Sequence, residues 1–169
     1  MSKNILVLNG AARQNGNTAK LVEAFADGAR SAGHQVKVFY LDGMDIHSCK
    51  GCLRAGKDSK HPCSQRDDMD QIYTEFADAD VVAFASPLYF WTVTGTLKTA
   101  ADRLYAELEC LGYGGFPKQS VLLMTADGGD YSQAVTWYRT YERNLGWRNL
   151  GEVLGKGKTA EAHRLGASI

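Results

Sequence analysis

Five short runs with strand character punctuate this chain, and each is followed by a stretch with helical spacing. They fall at residues 5–8, 35–41, 81–85, 119–124 and 149–154. The run VVAFA at 81–85 is continuously apolar, as a strand buried on both faces requires. Strands that alternate with helices argue a parallel sheet with helices on both of its faces. The expected fold class is therefore α/β, in one domain spanning 1–169, with no repeat or linker visible in the sequence.

The helical stretches have readable ends. The first runs over about 18–32 and stops at Gly33. The second is capped by Asp67 or Asp68 and carries Met69, Ile72, Tyr73, Phe76 and Ala79 at helical spacing. A third is expected over 95–110, a fourth over 131–145 ending at Gly146, and a short last one over 159–165. Tyr131, Trp137, Tyr138, Tyr141 and Trp147 read as packing for the fourth helix. Residues 43–66 and 112–117 have no clear period. A structureless stretch as long as 43–66 is uncommon in a compact domain and tends to be functional.

Composition narrows the partners. Hydrophobic residues make up 44% and charged residues 22% of the chain, and the formal net charge is +0, so no nucleic-acid or membrane surface is indicated. No apolar run approaches the length of a membrane span, and no signal-peptide pattern precedes the first strand, so a cytoplasmic location is expected. In such a chain Cys49, Cys52, Cys63 and Cys110 are expected as free thiols, metal ligands or redox groups rather than structural disulfides.

Three connections leave the carboxyl ends of expected strands: 9–18, 86–94 and 125–131. The first, NGAARQNGNT, joins a strand to a helix start, where unpaired N–H groups and the helix dipole favour an anion. Gly10 and Gly16 would let backbone approach a ligand, Asn15, Asn17 and Thr18 supply donors, and Arg13 supplies charge. It lacks the Gly-Lys-Ser/Thr ending of a nucleoside-triphosphate loop and the three-glycine dinucleotide fingerprint. A cradle for one terminal phosphate and an ordinary strand–turn–helix connection both remain open on this stretch alone. The second connection carries Tyr89, Phe90 and Trp91, and the third carries Gly128 and Gly129. In open parallel sheets, ligands bind beyond the carboxyl ends of the strands. A ligand with a phosphate at one end and a flat polar ring at the other, such as FMN, would suit all three connections. The aromatics would wall the ring, and backbone groups of 88–92 and 126–129 would bond its edge; packing in a core or an interface is the plainer role for an aromatic cluster.

At this point the motifs are familiar. Residues 9–18, the segment SPLYFWTVTGTLKTAADR at 86–103, and the Cys49–Cys52 pair with Cys63 and Asp67-Asp68-Met69 resemble the flavodoxin-like NAD(P)H-dependent FMN reductases. That family also includes the iron–sulfur flavoproteins. The resemblance implies a flavodoxin-like three-layer sandwich, a five-stranded sheet of order 2-1-3-4-5, and a homodimer or homotetramer. It implies FMN as cofactor and NADH or NADPH as co-substrate, with no catalytic side chain named. Ala11, Arg13, Gly16, Asn17 and Thr18 match the phosphate loop, although Ala11 stands where the family pattern has serine. Pro87, Leu88, Tyr89, Phe90, Trp91 and Thr92 match the ring loop, and Ala126, Asp127, Gly128 and Gly129 flank the ring. The implied acceptor is a small molecule: flavin, a quinone, or a nitro or azo compound. A carrier that binds FMN and docks a redox protein is the alternative; neutral charge argues against it. No basic residue can be placed for a 2′-phosphate.

Three readings compete for the cysteine segment. Cys49, Cys52 and Cys63 with His47 or His61 could ligate zinc. Cys49 and Cys52 could form a reversible disulfide. The thiols could also be idle, or part of a flap. An iron–sulfur cluster normally takes four thiolates, and the third place of the compact cysteine run is Ala55 here. Cys110 is expected in the core, His34 and His163 at the surface, and Lys98 paired with Asp102 on one helix face.

Overall fold

The computed structural model describes residues 1–56, 58, 61–112 and 117–169. Its elements in chain order are β1 (Asn4–Asn9), α1 (Asn17–Ser31), β2 (Gln35–Tyr40), α2 (Met69–Asp78), β3 (Val81–Pro87) and α3 (Gly95–Arg103). Then come α4 (Tyr105–Leu111), β4 (Gln119–Thr125), α5 (Ser132–Leu145), β5 (Arg148–Leu154) and α6 (Thr159–Ala167). The strands form one five-stranded sheet in the order β2-β1-β3-β4-β5, and every pairing is parallel. The α/β expectation and the 2-1-3-4-5 order both hold.

Alternation along each strand divides the apolar residues between two cores. Leu6, Leu8, Val82, Phe84, Leu122 and Met124 face one layer, where Ile72 and Phe76 of α2, Leu97 of α3 and Tyr138 of α5 pack. Ile5, Val7, Val81, Ala83, Ala85, Val121 and Leu123 face the other, against Leu21, Val22 and Phe25 of α1 and Ala162 of α6. Phe84 sits within 5.5–6.4 Å, centroid to centroid, of Trp137, Tyr138, Tyr141 and Trp147, so the aromatics around α5 pack as expected. Helices α1 and α6 approach very closely. A Cβ on Gly28 would lie 2.1 Å from the His163 carbonyl oxygen, and one on Gly166 would lie 2.1 Å from that of Phe25.

Two expectations are corrected. The helix expected over 95–110 is broken at Leu104. The Tyr73 hydroxyl donates to the Arg103 carbonyl at 3.1 Å, and the Glu107 N–H turns to Leu104 instead, also at 3.1 Å. A side-chain donor has entered the ladder, and the helix restarts one residue on. Cys110 is half-buried rather than in the core, with burial the main cause raising its thiol pKa. Lys98 and Asp102 do pair, 2.5 Å apart at the surface.

A single 3₁₀ turn over Leu41–Gly43 follows β2, and residues 44–66 carry no helix or strand where the structure describes them. Residues 57, 59 and 60 of that stretch, and 113–116 of the expected 112–117 loop, lie outside the described residues. No helix among the described residues is long and apolar enough to cross a membrane.

Candidate functional site

The carboxyl ends of β1, β3 and β4 open into one cleft of about 290 Å³. Ala11, Arg13, Gly16, Asn17 and Thr18 line it from the first connection; Pro87, Leu88 and Tyr89 come from the second; Ala126, Asp127 and Gly128 come from the third. The structure therefore brings residues more than a hundred positions apart in the chain to one lip, where β1 and β3 lie side by side. Phe90, Trp91, Thr92 and Gly129 stand outside the lining.

The end of the cleft where the sequence places a phosphate begins with α1. Its N-cap, Gly16, offers no side-chain acceptor, and its first turn holds no acidic residue, so the helix start is left for an outside anion. Thr18 is buried, and its hydroxyl lies 2.7 Å from that of Thr125 at the end of β4. One of the two donates to the other, which leaves one hydroxyl proton free to turn to a ligand. The Ala11 N–H is already taken by the Asn9 side-chain oxygen at 3.0 Å, so it does not replace the missing serine. Gly10 does not face the cleft. A Cβ there would meet the Thr94 hydroxyl at 2.4 Å, because Thr94 bonds the Gly10 carbonyl and caps α3 over it.

At the end where the sequence places a ring, two connections are tied together. The Leu88 N–H donates to the Thr125 carbonyl at 2.9 Å, and a Cβ on Gly129 would lie 3.1 Å from the Leu88 side chain. Tyr89 and Thr92 exchange both backbone hydrogen bonds, at 2.9 and 3.1 Å, around a two-residue turn. That turn forces positive φ on Phe90 (45°) and Trp91 (64°), where glycine or asparagine would be the easier residue. The strain holds both rings out of the fold: Phe90 is 89% and Trp91 58% exposed, with the rings edge to face. They project from the rim and do not wall the cleft. Of the expected donors in 88–92, the N–H groups of Leu88, Tyr89 and Thr92 are used within the fold. Those of Phe90 and Trp91 have no backbone partner among the described residues.

Ala12, Thr125 and Lys156 were missed in the sequence. Ala12 and Thr125 line the cleft. Lys156, from the turn after β5, reaches Asp127 at 2.6 Å. Its hydrogen bond and charge, helped by Arg13, hold the Asp127 carboxyl below the usual range. Lys156 had no local signal, since only the order of β4 and β5 puts it at this rim.

Such a sheet, all parallel in the order 2-1-3-4-5 with a cleft at the break in strand order, defines a flavodoxin-like protein. Residues 3–142 match the family model described as NADPH-dependent FMN reductase, and the chain belongs to that family. An iron–sulfur flavoprotein of Archaeoglobus fulgidus is 33% identical over 59% of this chain and 47% of its own length. A Bacillus subtilis protein named for NAD(P)H-dependent, FMN-containing oxidoreductase activity is 29% identical over 90% of this chain and 84% of its own. The chain thus spans about half the length of the first of these curated relatives. Among solved structures, an NAD(P)H:quinone oxidoreductase from Methanothermobacter marburgensis superposes with a TM-score of 0.74, covering 99% of this chain and 97% of that one. At 21% identity that likeness shows the fold alone.

Proposed function

We propose that this chain is an FMN-dependent oxidoreductase that takes hydride from NADH or NADPH and delivers electrons to a small acceptor. The acceptor class is a flavin, a quinone, or a nitro or azo compound. The observation that carries the reading is the cleft: an uncapped helix start and Arg13 at one end, and two tied connections at the other. That donor set suits FMN. The first turn of α1, Arg13 and the Thr18–Thr125 hydroxyl pair would hold the monophosphate. Tyr89, Leu88 and the 126–128 backbone would hold the ring.

When bound, the flavin supplies the redox chemistry, as hydride acceptor and electron donor. The chain's own contribution is to bind and orient. Leu88, tied to the end of β4, fixes the separation of the two ring-side connections. The Asp127–Lys156 pair steadies the 126–128 segment at its exposed edge. The exposed rings of Phe90 and Trp91, set edge to face next to the cleft-lining Tyr89, would offer apolar surface to a nicotinamide or an aromatic acceptor.

The test is direct. Purified chain is loaded with FMN, freed of excess, and mixed with NADPH or NADH without oxygen while the flavin absorption is followed. Rapid bleaching, reversed by a quinone, supports the enzyme. Bound flavin that bleaches with neither nucleotide supports a carrier. A chain that takes up no FMN overturns the assignment of the cleft.

A further inference from the structure

A second group of reactive side chains lies away from the cleft, in the 43–66 stretch. Its two arms are joined at three levels. The Gln65 side chain donates to the Ser48 carbonyl at 3.1 Å, the Cys52 sulfur lies 3.3 Å from the Ser64 hydroxyl, and the Gly56 N–H donates to the Pro62 carbonyl at 3.2 Å. The base is clamped by a buried ion pair: Arg103 meets Asp67 through two hydrogen bonds, of 2.6 and 3.0 Å, and donates to the His47 carbonyl at 2.7 Å. Gly56 rests on α4, where a Cβ would lie 2.7 Å from the Glu109 Cβ.

Between this cap and the α3–α4 corner is a cavity of about 240 Å³ with an almost wholly apolar wall. Cys49, Cys52 and Cys63 line it together with Leu53, Ala55 and Ala106. Cys49 and Cys52 are exposed and Cys63 is half-buried, and none of the three is in a disulfide. Gly51 and Leu53, on either side of Cys52, both hold positive φ, at 58° and 52°. A leucine in that conformation is a strained residue, and strain of this kind gathers at working sites. The Ser64 hydroxyl, followed by the Arg54 backbone, lowers the Cys52 thiol pKa. A four-thiolate cluster of the kind the relatives' names imply is short of one ligand, since Ala55 fills the third place of the run, and no group of three or more His, Cys, Asp or Glu among the described residues is disposed to hold a metal ion.

We propose that Cys49 and Cys52 form a dithiol site that reduces low-molecular-weight disulfides with an apolar or aromatic body, which the adjoining cavity receives. The Cys52 thiolate attacks one sulfur of R–S–S–R, a Cys52–SR bond forms, and RS⁻ leaves and takes up a proton. The Cys49 thiolate then attacks the Cys52 sulfur, closing the Cys49–Cys52 disulfide and releasing the second RS⁻, which is protonated in turn. The chain loses two electrons and two protons, and R–S–S–R becomes two R–SH. Cys63 is set back, accepting the Gln65 N–H and lying near the Arg103 guanidinium, and takes no part. The inference stands independently of flavin binding.

The reduced full-length chain is mixed with dithiodipyridine, and released thiopyridone is followed by absorbance while peptides are mapped by mass. Two thiopyridones should leave in a fast phase, with a Cys49–Cys52 disulfide recovered. Cys49→Ser should release one and keep a pyridyl adduct on Cys52; Cys52→Ser should slow the fast phase by about tenfold or more. The rate ratio of dithiodipyridine to oxidised glutathione should exceed that of free cysteine by about tenfold, because only the aromatic disulfide fits the cavity. A recovered Cys52–Cys63 bond, a Cys52 no faster than Cys110, or the ratio of free cysteine would each overturn the proposal.

Discussion

Arg13 is the only charged side chain that the first connection gives to the cleft. Around it the donors are backbone groups of a helix start and a pair of hydroxyls. A charge-assisted contact to phosphate is worth about 1.5–3 kcal/mol when sheltered, and Arg13 is exposed, so the lower figure applies. Arg13→Ala should therefore weaken FMN binding about tenfold, read as Kd by fluorescence quenching of the free flavin. Unchanged affinity would remove Arg13 from the phosphate site. Arg13, Asn17 and Thr18 could be picked out from the sequence because helix-start chemistry is local. Thr125 could not: its hydroxyl meets Thr18 only because β4 ends beside the start of α1, a fact of strand order. The same reason hid Lys156. Gly10 shows the opposite failure, where a glycine beside a candidate phosphate loop is bare to admit Thr94 rather than a ligand.

At the scale of elements, strand runs and helix stops were legible because each has a local cause. Gly33 and Gly146 end their helices in positive φ, at 88° and 67°. The break at Leu104 was not legible, since the intruding hydroxyl belongs to Tyr73, thirty positions before the Arg103 carbonyl it meets. Nor was the seam between α1 and α6. There Gly28 and Gly166 are each required by the opposite helix's backbone, which no flexible side chain can vacate. Gly166→Ala should lower stability by about 1–3 kcal/mol through overpacking, despite alanine's better helix propensity. Urea unfolding would show it as a lower midpoint at unchanged slope; a stabilised variant would mean that the helices can part at little cost.

The Tyr89–Thr92 turn puts function and stability in opposition. Phe90 and Trp91 occupy the two positions that favour asparagine and glycine in a turn with successive positive φ. Replacing them together, as Phe90→Asn with Trp91→Gly, should stabilise the chain by about 1–2 kcal/mol. That is a rise of roughly 2–4 °C in Tm per kcal/mol for a domain of this size. If the aromatic rim serves the nicotinamide or the acceptor, the same variant should raise KM while FMN stays bound. Loss of stability with no change in KM would show that the rings pack rather than bind.

Across the whole molecule, equal numbers of acidic and basic groups, 19 of each, leave pH dependence to the few that are buried. Asp67 is raised by burial but lowered more by Arg103 and the N–H groups of His47 and Met69, so its carboxyl ends below its ordinary value of 3.8. A depressed acid stabilises above its unfolded pKa and loses that contribution as pH falls. Glu107 is raised by burial from 4.5, so its share runs the other way and declines as pH climbs past that value. Lys118 governs the alkaline side. Burial, resisted by Asp80, Asp78 and Glu107, lowers it from 10.5 to about 8. Between those values the unfolded chain holds a proton that the native one has released, so stability rises with pH. Tyr73 and Tyr138, raised by burial above 10, begin to cost stability only beyond that point. Stability should therefore climb from pH 8, less steeply above 9 where the raised Cys110 thiol opposes Lys118, and fall above 10, in denaturant titrations at a series of pH values. Lys118→Met should flatten the climb and leave the fall. A variant that keeps the full climb would show that another group carries it, because a methionine has no proton to release.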